Sequence, residues 1–247
     1  MRKLLTFTAI AMALAQPAAA QSTVRIGTTA DNPPYTTLAP EGAPAGYEIA
    51  LGAEICARAG LTCEFVLTPW ATIIPDLRAG AFDVIMTGMA ISEPRRQLID
   101  FSEPYYPAGI SHFAARAGTN FDFAALAGTR IGMNGGTIQA AYAEANLAPA
   151  NTIVLYPDFE AAMTALEAGE IDLVLAHTGF VMPRVAATNG ALAIVGPDVP
   201  IGGGVAAGFR KEDAALREAF DRVIRELKAD GSLNALIAEW FDPPQFF

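Results

Sequence analysis

The sequence predicts an α/β fold of two similar lobes, and a duplicated segment carries this prediction. Residues 77–86 read Leu-x-Ala-Gly-x-apolar-Asp followed by an apolar run, and residues 166–175 read the same way. Upstream of each copy stands Arg-Ile-Gly, at 25–27 and again at 130–132. Each half therefore opens with a strand and later supplies a helix, a glycine stop and a buried strand. Two such lobes enclose a cleft, where small ligands usually bind.

In the first half the elements alternate. Two prolines within 31–35 remove ladder donors, so this segment is a loop at the carboxyl end of the first strand, where open α/β sheets bind ligands. Ser92 is the predicted N-cap of a third helix, with Pro94 in its first turn. The predicted strands are 24–28, 64–67 and 82–86, and the preceding helices are 47–59 and 70–79.

The second half repeats this alternation and adds two C-terminal helices. Asp158 caps a helix that Gly169 ends. Extended crossings near 106–111 and 202–207 suggest two linking strands, and the alternation predicts a mostly parallel sheet in each lobe. The predicted strands are 130–133, 171–175 and 191–195; the helices are 137–146, 158–168, 213–228 and one that Ser232 caps.

Composition limits the class of protein. The chain has 247 residues, 52% of them hydrophobic, with a net charge of −10. This is enough for one large or two small domains, and the acidic balance argues against a nucleic-acid partner. Arg2 and Lys3 precede an apolar run at 4–14, and 17–20 ends in an Ala-x-Ala cleavage pattern. We therefore expect a signal peptide over 1–20 and a soluble, exported mature protein.

Cys56 and Cys63 are the only cysteines. Because an exported chain meets oxidising conditions, a disulfide is the default expectation, and two buried free thiols are the alternative. No cluster of His or Cys lies near them, so a metal site is not expected.

Four features mark a candidate ligand site. The stretch Asn134–Thr137 presents backbone N–H groups at a helix start, which attracts a carboxylate or phosphate; a plain tight turn is the alternative. Arg95 follows a strand-end loop and can clamp a carboxylate, unless it is a surface arginine. Trp70 and Tyr35 either stack on a ligand or pack in the core. His177 ends a repeat strand and is either a site residue or a structural histidine.

Several of these stretches together resemble the polar-amino-acid-binding proteins of bacterial ABC importers, the family of the lysine/arginine/ornithine- and histidine-binding proteins. The resemblance covers essentially all of the mature chain. The matching stretches are 25–28, 33–35, 46–49, the Cys56/Cys63 spacing, 82–86, 91–95, 135–137, 171–172, 209–211 and 229–231.

The resemblance implies a two-lobed periplasmic-binding-protein fold whose lobes are joined by two hinge strands. Lobe 1 would comprise 21–108 and 206–247, and lobe 2 would comprise 109–205. The implied function is capture of a small amino-acid-like carboxylate, an amino acid or an opine-like derivative, for delivery to an ABC permease in the inner membrane. The protein would be a periplasmic monomer without enzymatic activity or cofactor.

The resemblance also assigns site residues. Arg95 matches the arginine that grips the ligand carboxylate, and the backbone at Ala90, Thr137 and Ile138 would add N–H donors. Other positions would contact the ligand amine or line the pocket: Thr87, Gly88, Trp70, Tyr35 and Gln139.

Three departures bear on the ligand. His177 stands where the family usually places an aspartate that pairs with the α-ammonium, and Ala90 replaces a Ser or Thr. Asn32 and Thr29 stand where many basic-amino-acid binders carry an aromatic and an aspartate. The sequence therefore favours a ligand with a modified amine over a free basic amino acid, unless Asp31 supplies the missing charge.

Two other functions stay open at this stage. The same fold hosts a cyclohexadienyl dehydratase, and His177 is a candidate acid for such an enzyme. A ligand-sensing subunit of a signalling receptor is the other alternative.

Overall fold

The computed structural model describes residues 23–242, 244 and 246–247. The strands, in chain order, are β1 Val24–Thr28, β2 Thr37–Leu38, β3 Pro44–Ala45, β4 Cys63–Leu67, β5 Val84–Ile85, β6 Asp100–Phe101, β7 Ile110–Arg116, β8 Arg130–Asn134, β9 Thr152–Tyr156, β10 Leu173–His177, β11 Leu192–Pro200 and β12 Gly208–Phe209. The helices are α1 Tyr47–Ala59, α2 Ile73–Arg78, α3 Glu93–Leu98, α4 Ile138–Asn146, α5 Phe159–Ala168, α6 Thr178–Ala186, α7 Ala214–Ala229 and α8 Ser232–Trp240. The expected signal peptide, 1–20, lies outside the described residues.

These elements form two lobes, each built on a five-stranded sheet. The first sheet has the order β4-β1-β5-β12-β6 and the second the order β11-β7-β10-β8-β9. Helices α1 and α2 pack on the first sheet, and α4, α5 and α6 pack on the second. The two-lobed α/β class is therefore confirmed. None of the described helices combines the length and the apolar character that crossing a membrane requires.

Both sheets are mixed but mostly parallel, as the sequence predicts: in each, four of the five strands run in the same direction and one runs against them. β1 pairs in parallel with β4 and β5, and β8 pairs in parallel with β9 and β10. The strands next to the crossings run the other way: β12 pairs antiparallel with β5 and β6, and β7 pairs antiparallel with β10 and β11. A chain that enters a sheet from the other lobe arrives without a crossover helix, so it is free to pair antiparallel.

The sequence repeat corresponds to the same contact in each lobe, which we call the arginine–aspartate clasp. Arg25 in β1 donates from its backbone N–H, Nε and Nη2 to the carboxylate of Asp83, over 3.0–3.1 Å. Arg130 in β8 makes the same three bonds to Asp172, over 2.7–3.0 Å. These arginines lower the pKa of both aspartates. The Arg-Ile-Gly and Gly-x-apolar-Asp motifs are therefore two ends of one interaction.

The two crossings lie side by side between the lobes. Val205 donates its backbone N–H to the carbonyl of Tyr106 over 3.0 Å, so the segments near 106–111 and 202–207 are bridged there. Phe241, just after α8, stacks on Tyr106 with ring centroids 4.3 Å apart. The proposed lobe boundaries at 108/109 and 205/206 fall within these crossings and stay a prediction.

Two expected elements differ in detail. The helix predicted over 70–79 splits into a 3₁₀ turn, Trp70–Thr72, and the shorter α2. Gly231, with φ 80°, occupies the N-cap of α8, so Ser232 is its first helical residue rather than its cap. The predicted disulfide is present: Cys56 in α1 is bonded to Cys63 at the start of β4, with Cα atoms 6.2 Å apart.

Candidate functional site

Arg95 lies at the cleft between the lobes, in the first turn of α3. Its side chain is buried, with 8% of the residue exposed. The guanidinium carbon lies 5.1 Å from the centroid of the Trp70 ring. Nη1 donates to the carbonyl of Ala90 over 2.7 Å, and Nη2 donates across the cleft to the carbonyl of Gly136 over 3.0 Å.

The charge of Arg95 has no counterpart in the described part of the chain. No carboxylate of the described residues forms an ion pair with it, although most other arginines there have such a partner. Burial lowers the pKa of Arg95 to about 10, so the guanidinium is still charged at neutral pH. A buried unpaired charge is costly, and an anionic ligand relieves that cost.

Backbone donors surround this cation. The N–H groups of Ala90, Thr137 and Ile138 have no acceptor among the described residues. Thr137 is the N-cap of α4: its hydroxyl accepts from the N–H of Ala140 over 3.2 Å and donates to the carbonyl of Asn134 over 2.7 Å. The positive end of α4 therefore faces the same corner as Arg95, and together they form an anion-binding corner.

A cavity of about 680 Å³ opens beside Arg95. It is lined by both lobes and by the second crossing, through Ile91–Arg96, Gly136–Ile138, Ala140, Ala141, Glu144, Leu155 and Ile201–Gly203. Tyr35, Thr87 and His177 do not line it. The predicted site residues thus fall into two groups, the anion-binding corner and a second group around Thr87.

The second group centres on Thr87, which lies just after β5. Its hydroxyl is fully buried, 2.7 Å from the hydroxyl of Thr29 and 3.4 Å from that of Thr36, and it accepts from the N–H of Thr29. Asn32 donates from Nδ2 to the Thr87 carbonyl over 2.9 Å. Its other amide atom, Oδ1, is enclosed and has no hydrogen-bond partner among the described residues. That oxygen is an acceptor ready for a donor.

Gly88 adopts φ 69°, and a Cβ added there would overlap the amide of Asn32 and lie 3.2 Å from the Tyr35 ring. Its N–H donates to the carboxylate of Glu48, in the first turn of α1. The second oxygen of Glu48 accepts from the hydroxyl of Tyr105. The peptide between Thr87 and Gly88 is therefore held at its carbonyl by Asn32 and at its N–H by Glu48.

Tyr35 is largely a core residue rather than an open wall of the cleft, with 4% of it exposed. Its ring packs edge-on against Tyr106 and Phe241, with centroids 5.5 and 5.0 Å away. It also reaches the second lobe, where its centroid lies 6.5 Å from that of His177. Tyr35 thus connects the crossing to the cleft, and its hydroxyl has no partner among the described residues.

His177 ends β10 and is the N-cap of α6. Its Nδ1 accepts from the N–H of Gly179 over 3.1 Å, which leaves the proton on Nε2, next to Gly109. Burial and the neighbouring His112 lower its pKa to about 4. The imidazole is therefore neutral at physiological pH, and a pH dependence of binding near pH 6.5 is not expected from it.

The remaining predicted site residues belong to neither of the two groups. Gln139 is buried and donates from Nε2 to Ser111 inside the second lobe, over 3.0 Å. Asn134 is the last residue of β8, and its Oδ1 is enclosed and has no partner in the described chain. Asp31 is exposed and makes no hydrogen bond or ion pair with the described residues, so no contact fixes its carboxylate to the Thr87 group.

Sequence reasoning missed Glu48 as a site residue. Glu48 is fully buried although its charge suggests a surface position. A signal was available: residues 48, 51, 52 and 55 share one face of α1, and the other three are apolar or glycine. An acid on the apolar face of a helix marks a buried charge with a specific partner.

The fold and the site together define a two-lobed solute-binding protein. The family model "Bacterial extracellular solute-binding proteins, family 3" matches residues 24–243, and the chain belongs to this family.

Individual relatives agree with this. The histidine-binding periplasmic protein of Salmonella typhimurium is 34% identical over 95% of this chain and 93% of its own. The lysine/arginine/ornithine-binding periplasmic protein of Escherichia coli is 31% identical over 91% of this chain and 90% of its own. A periplasmic His/Glu/Gln/Arg/opine family-binding protein from Silicibacter pomeroyi, solved with lysine, is 40% identical, with a TM-score of 0.83 over 91% of this chain and all of that one.

Proposed function

We propose that the protein captures an amino-acid-like carboxylate between its lobes and delivers it to an ABC permease. The single observation that carries this proposal is Arg95, a buried cation without a carboxylate partner among the described residues, stacked on Trp70. The free N–H groups of Ala90, Thr137 and Ile138 give the same corner the donors that a carboxylate requires. The relatives, which are named for binding histidine, lysine, arginine and ornithine, support an amino acid as the ligand.

The location and partners follow from the same comparisons. The relatives are periplasmic proteins, and the predicted signal peptide over 1–20 supports export of this chain. We expect the protein to act as a monomer whose liganded form docks on an inner-membrane permease. The net charge of −10 argues against a nucleic-acid partner, and we expect no cofactor.

Binding is favoured over catalysis. The relatives named above are binding proteins. His177, the candidate acid for a dehydratase, is buried and neutral, and its Nδ1 is already engaged by Gly179. We therefore expect no turnover of prephenate or arogenate, which absorbance assays measure directly; measurable turnover would contradict a pure receptor.

A thermal-shift screen tests the proposed function. The panel contains the free α-amino acids, N-substituted amino acids of the opine type and simple carboxylates. A ligand that binds only the folded state raises the melting temperature, and calorimetry then gives its affinity. We expect at least one amino-acid-like carboxylate to bind in the micromolar range or tighter, about 8 kcal/mol. If no compound carrying an α-carboxylate binds, the proposal is wrong.

A further inference from the structure

The second group of site residues lacks the acidic side chain that an ammonium ion would require. Thr29, Asn32 and His177 are neutral, and the exposed Asp31 forms no hydrogen bond or ion pair with the described residues. Among the described residues that contact this group through hydrogen bonds, Glu48 is the acid. It lies behind the Thr87–Gly88 peptide rather than in the cleft, so it acts on a ligand through the peptide.

We propose that Glu48 is the counter-charge of the site: its carboxylate fixes the Thr87–Gly88 peptide and compensates a ligand ammonium that the amide oxygen of Asn32 accepts. This inference rests on the proposed function and deepens it, because it gives the ligand an α-ammonium in addition to its carboxylate. Glu48 is a positioning residue, since it does not itself touch the ligand.

The first support is the polarity of the clamped peptide. Glu48 accepts from the N–H of Gly88, and Asn32 donates to the carbonyl of Thr87, so the peptide dipole is fixed at both ends. A carboxylate at the N–H end polarises the chain of hydrogen bonds from the peptide to the Asn32 amide, with cooperative strengthening. The electrostatic potential at the Oδ1 of Asn32, which has no hydrogen-bond partner among the described residues, thereby becomes more negative.

The second support is the Oδ1 atom of Asn32 and its lack of a hydrogen-bond donor among the described residues. Because Nδ2 of Asn32 is committed to Thr87, the orientation of the amide is fixed and Oδ1 must be the atom without a donor. An enclosed acceptor with no donor costs free energy unless a ligand satisfies it. An ammonium supplies three donors, and so it fits this acceptor.

The third support is the surroundings of Glu48. Among the described residues, the titratable groups that interact with it are three tyrosines: Tyr35, Tyr47 and Tyr105. Burial raises the pKa of each, so none of them changes charge near neutral pH. No arginine or lysine of the described chain forms an ion pair with Glu48. A ligand cation is therefore its missing partner.

The arrangement predicts a proton released on binding. Burial raises the pKa of Glu48 to about 8, so without ligand it is mostly protonated at about pH 7. A nearby ammonium favours the ionised form and lowers that pKa. Binding of an α-amino acid therefore releases up to one proton, and affinity rises as the pH goes from about 6 to about 8.

The test compares the wild-type protein with Glu48→Gln, in which the charge is lost but the shape is kept. The probes are L-lysine and its α-hydroxy analogue, 6-amino-2-hydroxyhexanoate, which keeps a donor but loses the α-charge. If the thermal-shift screen ranks another free α-amino acid higher, that amino acid and its α-hydroxy acid replace this pair. Calorimetry at about pH 7 in phosphate and in Tris, which differ in ionisation enthalpy, gives affinities and protons released.

For Glu48→Gln we expect about tenfold or greater weakening of the amino acid, less than about twofold change for the hydroxy acid, and no proton release. Asp221→Asn is the matched control, because Asp221 is also buried and also accepts from a backbone N–H, that of Glu103. It should leave the ratio of the two affinities and the proton release unchanged.

Three results would overturn the inference. Equal weakening of both probes would show that Glu48 is only a scaffold residue. Unchanged proton release in Glu48→Gln would assign the proton to another group. If the α-hydroxy acid, which lacks the α-ammonium, binds the wild type as tightly as the amino acid does, the counter-charge role is wrong and the proposed receptor function still stands.

Discussion

The side chains of Arg95 and Trp70 both donate hydrogen bonds across the cleft, to the backbone carbonyls of two neighbouring glycines. Nη2 of Arg95 donates to Gly136 over 3.0 Å, and Nε1 of Trp70 donates to Gly135 over 3.3 Å, while the guanidinium lies over the indole. The atoms that tie the lobes to each other therefore belong to the group that would hold a carboxylate. We therefore expect ligand binding and lobe closure to be coupled at this corner.

Arg95→Ala should weaken binding of the ligand by about 2–3 kcal/mol, because a charge-assisted pair is lost. Arg95→Lys should also weaken it, since an ammonium cannot reproduce the two-pronged geometry. Arg222→Ala is the control: Arg222 is exposed on α7, outside the cavity, and pairs with Glu226. Calorimetry checks all three, and equal affinities for Arg95→Ala and Arg222→Ala would contradict the role of Arg95.

Ligand should bring the lobes together about the paired crossings at Tyr106 and Val205. We expect small-angle scattering to show a smaller radius of gyration at saturating ligand. An unchanged radius of gyration would exclude closure on binding.

Trp70→Phe removes the hydrogen bond to Gly135 but keeps a ring, and it should cost about 1 kcal/mol of affinity. Trp240→Phe is the control, because the Trp240 Nε1 has no partner in the described chain.

Gly88→Ala should abolish or strongly weaken binding. The residue needs a positive φ, and an added methyl would displace Asn32 from Thr87. Gly80→Ala is the matched control, with φ 78° and nothing within 4 Å of an added Cβ. Both variants should lose about 1 kcal/mol of stability, measured by urea unfolding. Only Gly88→Ala should lose affinity; similar affinities would refute the clamped peptide.

His177 should make the fold sensitive to acid. Its folded pKa of about 4 lies below the unfolded value of about 6.5, so the unfolded chain binds the proton more readily. The stability is fully present above about pH 6.5 and is lost as the pH falls towards about 4. His177→Gln should flatten this decline in urea unfolding measured at about pH 7 and about pH 5. A decline as steep as that of the wild type would place the acid sensitivity elsewhere.

The disulfide should be present in the exported protein. Mass spectrometry after alkylation without reductant should find neither Cys56 nor Cys63 labelled, because both are bonded. The double serine variant should lose about 2 kcal/mol, the small value expected for a short loop. Complete labelling of both thiols in a periplasmic extract would contradict this.

Local patterns were sufficient for much of this molecule. Hydrophobic periodicity and glycine stops predicted α1 and α5 at nearly their observed bounds, and the repeat predicted two lobes. Contacts between distant segments were not predictable in this way. The antiparallel pairing of β12 depends on the return of the chain from the second lobe. The packing of Phe241 on Tyr35 joins residues more than two hundred positions apart.

The residues of the candidate site were likewise predictable where a local pattern marks them and not where distant contacts define them. Arg95 was identifiable from its motif and its place after a strand-end loop. The role of Glu48 depends on burial and on two donors from elsewhere in the chain, which no local pattern encodes. The neutral state of His177 likewise depends on its burial in the folded protein.

The two arginine–aspartate clasps have a mechanical consequence. Each clasp joins residues of a single lobe, Arg25 to Asp83 in one and Arg130 to Asp172 in the other, and neither spans the gap between them. A rotation of one lobe against the other therefore stretches neither clasp. We therefore expect substitutions in the two crossings to change how the lobes move relative to each other without weakening either clasp.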